Sequence, residues 1–302
     1  MEQTTKTNFL LGEEKVSKAL MKLGIPTMIG MLISALYNAV DAYFVGGLGT
    51  SQMGAVSVVF PVVQLVIGLG MMFGAGASSY ISRLLGEKEY ALADQTASTA
   101  LFSGLLTGAA VIGLILCFLT PVLSALGATE TILPYAREYA VIYVSGSILN
   151  VFNVTMNNII SSEGAAKTTM CVLITGAVLN VILDPIFIYT LNLGVAGAAI
   201  ATAISQLVST LVYLCYIFSG KSVFSFHIKK CCFSREIMSE ILKIGIPTLV
   251  FQLLTSLSIT LINSAAKGYG DSVLAAMGPV TRIMSVGSLM VFGFIKGFQP
   301  IA

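Results

Sequence analysis

The sequence predicts an all-α polytopic membrane protein of two six-helix lobes related by an internal repeat, the first lobe complete and two helices of the second present. Three observations predict it: long apolar runs, Lys and Arg concentrated on one side, and an N-terminal stretch that recurs near residue 240. Of 302 residues, 56% are hydrophobic and 10% are charged. Soluble domains carry about 25% charged residues, so composition alone places the chain in a membrane. A net charge of +2 without a Lys/Arg block gives no footprint for nucleic acid. Five cysteines, an odd number, supply no disulfide framework.

A spanning helix needs about 20 apolar residues. Eight segments qualify, at 22–47, 53–82, 97–119, 134–160, 169–191, 195–218, 238–266 and 272–300. The runs are too long for strands and show no period-2 alternation. An amphipathic stretch at 1–21 precedes them, and a basic loop at 219–237 separates the first lobe, 22–218, from the start of the second, 238–302. With the N-terminus in the cytoplasm, twelve of the sixteen Lys and Arg fall on that side: Lys6, Lys15, Lys18, Lys22, Arg83, Lys88, Lys167, Lys221, Lys229, Lys230, Arg235 and Lys243. Only Arg137 and Lys267 fall opposite, while Arg282 and Lys296 lie within the last segment. This asymmetry sets the orientation by the positive-inside rule.

The repeat aligns LMKLGIPTMIGMLISAL (20–36) with EILKIGIPTLVFQLLTSL (240–257), and MMFGAG (71–76) with MVFGFI (290–295). The offset spans six segments, an even number, so the lobes run parallel. By the repeat, roughly four further helices are expected after GFQPIA, and the sequence reads as truncated there. Gly70/Gly74, Gly104/Gly108 and Gly293/Gly297 have the spacing of close helix crossings.

Of fourteen acidic residues, only Asp41 and Asp184 sit deep inside apolar segments, Glu138 and Glu240 lying close to the starts of theirs. At 1.5 Å per residue, Asp41 lies about 28 Å from Lys22 and Asp184 about 26 Å from Lys167. Thr202, about 10 Å into the inward-running sixth segment, and Tyr139, near the start of the fourth, share that depth. Asn180 stands one turn before Asp184. Ser34, Tyr37, Asn38 and Asp41 form a polar stripe at i, i+3, i+4 and i+7, and Asn150, Asn153 and Asn157 continue one on the fourth segment. In lipid such stripes must face one another or a hydrated cavity. Two carboxylates without a basic partner at their depth call for a cation, H⁺ or a desolvated Na⁺, and the neutral oxygens of Asn180 and Thr202 suit either. No further cofactor is implied. The alternative use of these groups is a hydrogen-bond network that only joins helices. Pro26, Pro61 and Pro185 each remove a helical hydrogen bond, as static kinks or as hinges.

Catalytic motifs are missing. SGKS at 219–222 lacks the upstream glycine of a phosphate loop, which here is Cys215, and His227, the single histidine, lies away from any polar cluster. An intramembrane aspartyl protease needs two membrane carboxylates, but Leu183 rather than glycine precedes Asp184. The chain is therefore read as not being an enzyme.

DAYFVGGLG (41–49), NVILDPIFIYTLNLGVAGAAIATAIS (180–205) and GFQPIA resemble the multidrug and toxic compound extrusion transporters. The resemblance implies two six-helix bundles around a central cavity, acting by alternating access; the protein is further expected to be a monomer in the plasma membrane. It implies efflux of drug-like, often cationic, small molecules in exchange for Na⁺ or H⁺. By position, Asp41, Tyr139, Asn180, Asp184 and Thr202 match the family's first-lobe cation site, which would be a metal site if Na⁺ is the ion. Tyr37 and Asn157 match cavity positions, to which the stripes add Ser34 and Asn153. The resemblance also implies a bend of the first helix near Pro26 on protonation of Asp41. One turn departs from the family: Ser161-Ser162-Glu163-Gly164-Ala165-Ala166-Lys167 stands where relatives carry an Arg-x-x-Gly-Asn-x-Lys pattern. A flippase for lipid-linked saccharides on a related two-lobe scaffold is the second reading. Arg282 leans towards it, and the two aspartates lean against it.

Overall fold

Apolar length makes the helices, and glycine or proline ends or distorts them. A computed structural model describes residues 16–128, 130–227, 230–267 and 287–295. The chain runs α1 (Val16–Gly46), α2 (Thr50–Gly86), α3 (Tyr90–Cys117), α4 (Leu119–Ala125), α5 (Leu133–Ser162), α6 (Ala166–Pro185), a π-helical turn (Ile186–Thr190), α7 (Gly194–Phe218) and α8 (Arg235–Lys267). Residues 287–295 are also helical. No strand occurs among the described residues. Among the described residues seven helices are long and apolar enough to cross a membrane, so the chain is a multi-pass membrane protein.

Predicted segments one to three correspond to α1–α3, and four to seven to α5–α8. Most of the eighth, with Arg282 and Lys296, lies outside the described residues, as do 1–15 of the N-terminal stretch. Two elements differ from the sequence reading. The seven-residue α4 is too short for a 20-residue apolar window to detect; Phe118, at φ −112°, breaks it from α3. The fifth segment is not one regular helix. Pro185 has no N–H to give and its ring crowds the preceding turn, and beyond it the backbone widens, the Leu191 N–H reaching the Ile186 carbonyl at 2.9 Å.

α2 is the central strut, packed along α5, α8 and α3, while α1 lies on α6 and α7 bridges α5 and α6. Small residues permit the closest crossings. A Cβ on Gly74 would stand 3.0 Å from the Thr155 Cα of α5, and the Thr155 hydroxyl bonds the Gly70 carbonyl at 3.2 Å. The two lobes meet in the same way. A Cβ on Gly76 of α2 would strike the Ile241 carbonyl of α8, and one on Gly245 of α8 would strike that of Met72. On the other side, a Cβ on Gly293 would lie 2.7 Å from the Met28 Cα of α1, and one on Gly24 would touch Phe294 at 3.1 Å. Each lobe's first helix thus crosses the second helix of the other lobe, the pairing that the internal repeat requires.

Topology puts Lys22, Arg83, Lys88, Lys167, Lys221 and Lys243 at one end of the bundle, here called the basic end. The core is divided along this axis. A basic-end cluster joins Leu69, Phe73, Ile81, Ile159, Phe224 and Ile241, so it includes both lobes and the linker between them. The far-end cluster, with Val45, Val59, Leu123, Tyr139, Ile188 and Val195, draws on the first lobe among the described residues. Arg83 pairs with Glu240 across the lobes at the basic end and lies over the Tyr80 ring.

Candidate cation site

The site sits in the far half of the first lobe, where α1, α5, α6 and α7 converge. α6 supplies Asn180 and Asp184, four residues apart and so on one helix face, with exposures of 2% and 0%. The Asn180 Nδ2 donates to Asp184 Oδ1 at 3.3 Å and to Thr202 Oγ1 of α7 at 3.4 Å. Holding the amide this way turns its oxygen elsewhere. Asn180 Oδ1 and Asp184 Oδ2 are both buried and without a hydrogen-bond partner. α1 brings Asp41, half-buried, within electrostatic range of Asp184. Two ionised carboxylates so placed repel each other.

Tyrosines close the site. Tyr139 of α5 is buried and stacks on Tyr143 at 5.7 Å, 15° from parallel. Tyr139 and Tyr37 lie within electrostatic range of both aspartates, and Tyr143 within range of Asp41. Asp41, Tyr139, Asn180, Asp184, Thr202 and Tyr37 are therefore brought together. Tyr143 was absent from the sequence reading; its signal is the i+4 step from Tyr139. A small cavity of about 10 Å³, room for about one water, opens beside Thr202 between α5 and α7, lined by Tyr143, Ser147, Asn150 and Gln206. The Asn150 side-chain oxygen is buried there without a partner.

The remaining residues of the polar stripes lie elsewhere. Asn153 is buried against α7, donating to Gln206 Oε1 at 2.7 Å and accepting from Thr210 at 3.0 Å. Asn157, one turn further towards the basic end, donates to the Tyr213 hydroxyl at 3.1 Å. Ser34 is half-buried and bonds the Gly30 carbonyl of its own helix at 3.0 Å. Pro26 lies inside an unbroken α1, flanked by the Thr27 hydroxyl bond to the Leu23 carbonyl at 2.8 Å. The π turn is tied to the end of α1 by the Tyr189 hydroxyl, which donates to the Phe44 carbonyl at 2.6 Å. Among the described residues, no three His, Cys, Asp or Glu side chains gather as they would around a transition metal.

A repeated helical bundle that sinks paired carboxylates into its membrane interior has the architecture of a secondary transporter. The MatE family profile matches residues 26–186, and the chain belongs to that family. It is 34% identical over 288 residues to the multidrug export protein MepA of Staphylococcus aureus (strain NCTC 8325 / PS 47), covering 95% of this chain and 64% of MepA. MepA of Staphylococcus saprophyticus is 32% identical over 291 residues, again covering 64% of that protein. The chain thus spans somewhat less than two thirds of the length of these relatives. Among solved structures, a MATE protein crystallised in the straight conformation superposes with a TM-score of 0.91 at 33% identity, over 98% of this chain and 66% of that one. An outward-facing multidrug resistance MATE transporter of the MOP superfamily superposes at 0.90, also at 33% identity, over 98% of this chain and 65% of that one. Members of this family are membrane transporters rather than enzymes.

Proposed function

We propose that this chain carries the ion-coupling half of a multidrug antiporter, which exports drug-like, often cationic, compounds from the cell in exchange for Na⁺ or H⁺. The observation that carries the reading is the pair of buried, partnerless oxygens, Asp184 Oδ2 and Asn180 Oδ1, beside the Asp41 carboxyl. A buried carboxylate without partners costs several kcal/mol, and a monovalent cation among these oxygens offsets that cost. The basic end is assigned to the cytoplasm by the positive-inside rule, and the membrane to the plasma membrane.

Coupling follows from charge. With the site filled, Asp41 and Asp184 tolerate each other; with it empty, they repel, and α1 is the element free to respond. Pro26 interrupts the α1 hydrogen-bond ladder where Gly24 and Met28 touch the second lobe, so a bend there moves the substrate cavity relative to that lobe. Drug efflux from vesicles holding the full-length protein, with Na⁺ and pH gradients imposed separately, tests the reading. Efflux driven by one of the two gradients supports it, and efflux driven by neither removes it.

A further inference from the structure

We propose that Tyr189 is a positioning residue for ion coupling: from the π turn it latches the far end of α1 and so holds Asp41 beside Asp184. The latch joins the two segments that carry the carboxylates, just beyond them. Phe44 lies three residues, about one turn, past Asp41, and Tyr189 lies five past Asp184. The Tyr189 hydroxyl donates to the Phe44 carbonyl at 2.6 Å, and the two rings meet edge to face at 6.2 Å. Phe44 supplies one of the last four carbonyls of α1, which no later helical N–H can fully satisfy. The Gly47 N–H is shared between it and the Tyr43 carbonyl, at 3.2 Å from each. The tyrosine thus caps α1 from another element.

The surroundings are shaped for this hydroxyl. A Cβ on Gly47 would stand 2.5 Å from the Tyr189 Oη, against 3.3 Å from the Phe44 oxygen and 3.6 Å from the ring carbon that bears the hydroxyl. The hydroxyl is therefore the group that a side chain at position 47 would displace. The latch also has a fixed base. Ile188, 1% exposed, is anchored in the far-end core, and the turn rests on Gly197 of α7, where a Cβ would strike the Phe187 carbonyl at 2.6 Å. Five residues along a regular helix would set Tyr189 about 140° from the Asp184 face. A turn closed by i→i+5 bonds advances less per residue and brings Tyr189 back towards that face.

α1 also meets α6 closely nearer the basic end. A Cβ on Gly30 would lie 2.9 Å from the Leu173 side chain and 3.5 Å from the Met170 Cα. From Gly30 to Phe44 is about 21 Å of helix. Asp41 thus rides near the tip of a long arm, and the like charge of Asp184 pushes on it when the site is empty. The Tyr189 bond steadies that arm at its tip. With the latch closed, an arriving cation meets two carboxylates already in position. With it open, a share of the molecules must first be drawn together, and the apparent affinity falls by that share.

The latch stands on its own geometry; its part in coupling rests on the antiport reading above. Amide hydrogen exchange over residues 42–48 of the full-length protein, corrected for intrinsic chemical rates, tests the latch. Tyr189→Phe keeps the ring and loses the bond, and exchange there is expected to rise about threefold to tenfold, as one net hydrogen bond supplies. Gly47→Ala is expected to do the same by evicting the hydroxyl. The double variant is expected to match either single one rather than the product of the two. Unchanged exchange in Tyr189→Phe, or multiplying effects in the double variant, overturns the latch. In vesicles, Tyr189→Phe is expected to raise the driving-ion concentration for half-maximal efflux by a similar factor, while the drug concentration for half-maximal efflux holds. A merely structural role moves both or neither, and either outcome overturns the positioning role. Wild-type efflux that neither gradient drives removes the antiport reading, while the exchange data still decide the latch.

Discussion

Asp184 and Glu163 are carboxylates of nearly equal burial, 0% and 2% exposed, at opposite ends of one lobe. Their surroundings are opposed. Glu163 has both oxygens engaged by three donors at 2.7 to 3.0 Å. Asp184 has one oxygen held by a single bond of 3.3 Å, the other unpartnered, and a second carboxyl for a neighbour. Burial alone therefore does not mark an ion site. What marks it is a shortfall of donors, because a buried acceptor left unmet costs about 1–3 kcal/mol, and more when charged. Glu163 is completed by its own chain, whereas Asp184 keeps an oxygen that the described residues leave unmet.

Asp184→Asn is the sharpest way to break this contrast. Gradient-driven efflux should fall by about 100-fold, near the upper end of what a coupling free energy supplies. Thermal stability at neutral pH should hold or rise, since the substitution relieves a like-charge contact. A variant that melts earlier than wild type while exporting normally would reverse the roles assigned to the two carboxylates. Glu163→Leu should behave in the opposite sense. Leaving the Tyr216 and Ser222 hydroxyls and the Val223 N–H without their acceptor should cost about 3 kcal/mol in thermal or denaturant unfolding. Gly74→Leu examines the packing on which both sites depend. With Thr155 Cα 3.0 Å from the new Cβ, the α2–α5 crossing must open, and the expected loss of stability is about 1–3 kcal/mol. The smallest effect should come from Thr202→Val, which removes a single neutral oxygen. Its bond from Asn180 is long, at 3.4 Å, so efflux should fall less than about tenfold, measured as the driving-ion concentration for half-maximal rate.

Helical arithmetic made much of the far end legible in the sequence. A rise of 1.5 Å per residue puts Asp41, Tyr139, Asn180, Asp184 and Thr202 at one depth, and lipid forbids each of them to face outward alone. Their proximity follows from those two constraints. The crossings at Gly70 and Gly74 were legible for a related reason, since small residues four apart leave a groove on one helix face. The basic end was not legible to the same degree. Glu163 sits in a turn, where an acidic residue ordinarily meets water, and its linker partners are 59 and 60 residues away. No local spacing announces such a contact; the single hint was that this turn departs from the pattern of its relatives. The π turn after Pro185 was hidden as well. A proline states that a hydrogen bond is lost, but not whether the helix will kink, stop or widen in response.

The central claim is that the Asp41–Asp184 pair takes up the driving ion. It is tested most directly by following ion entry and export of a fluorescent cationic drug together, in vesicles of full-length wild type and of Asp184→Asn at equal reconstitution. The account predicts that wild type admits Na⁺ or H⁺ as drug leaves, and that the variant moves neither above the level of protein-free vesicles. Ion-driven export by Asp184→Asn at the wild-type rate would contradict it.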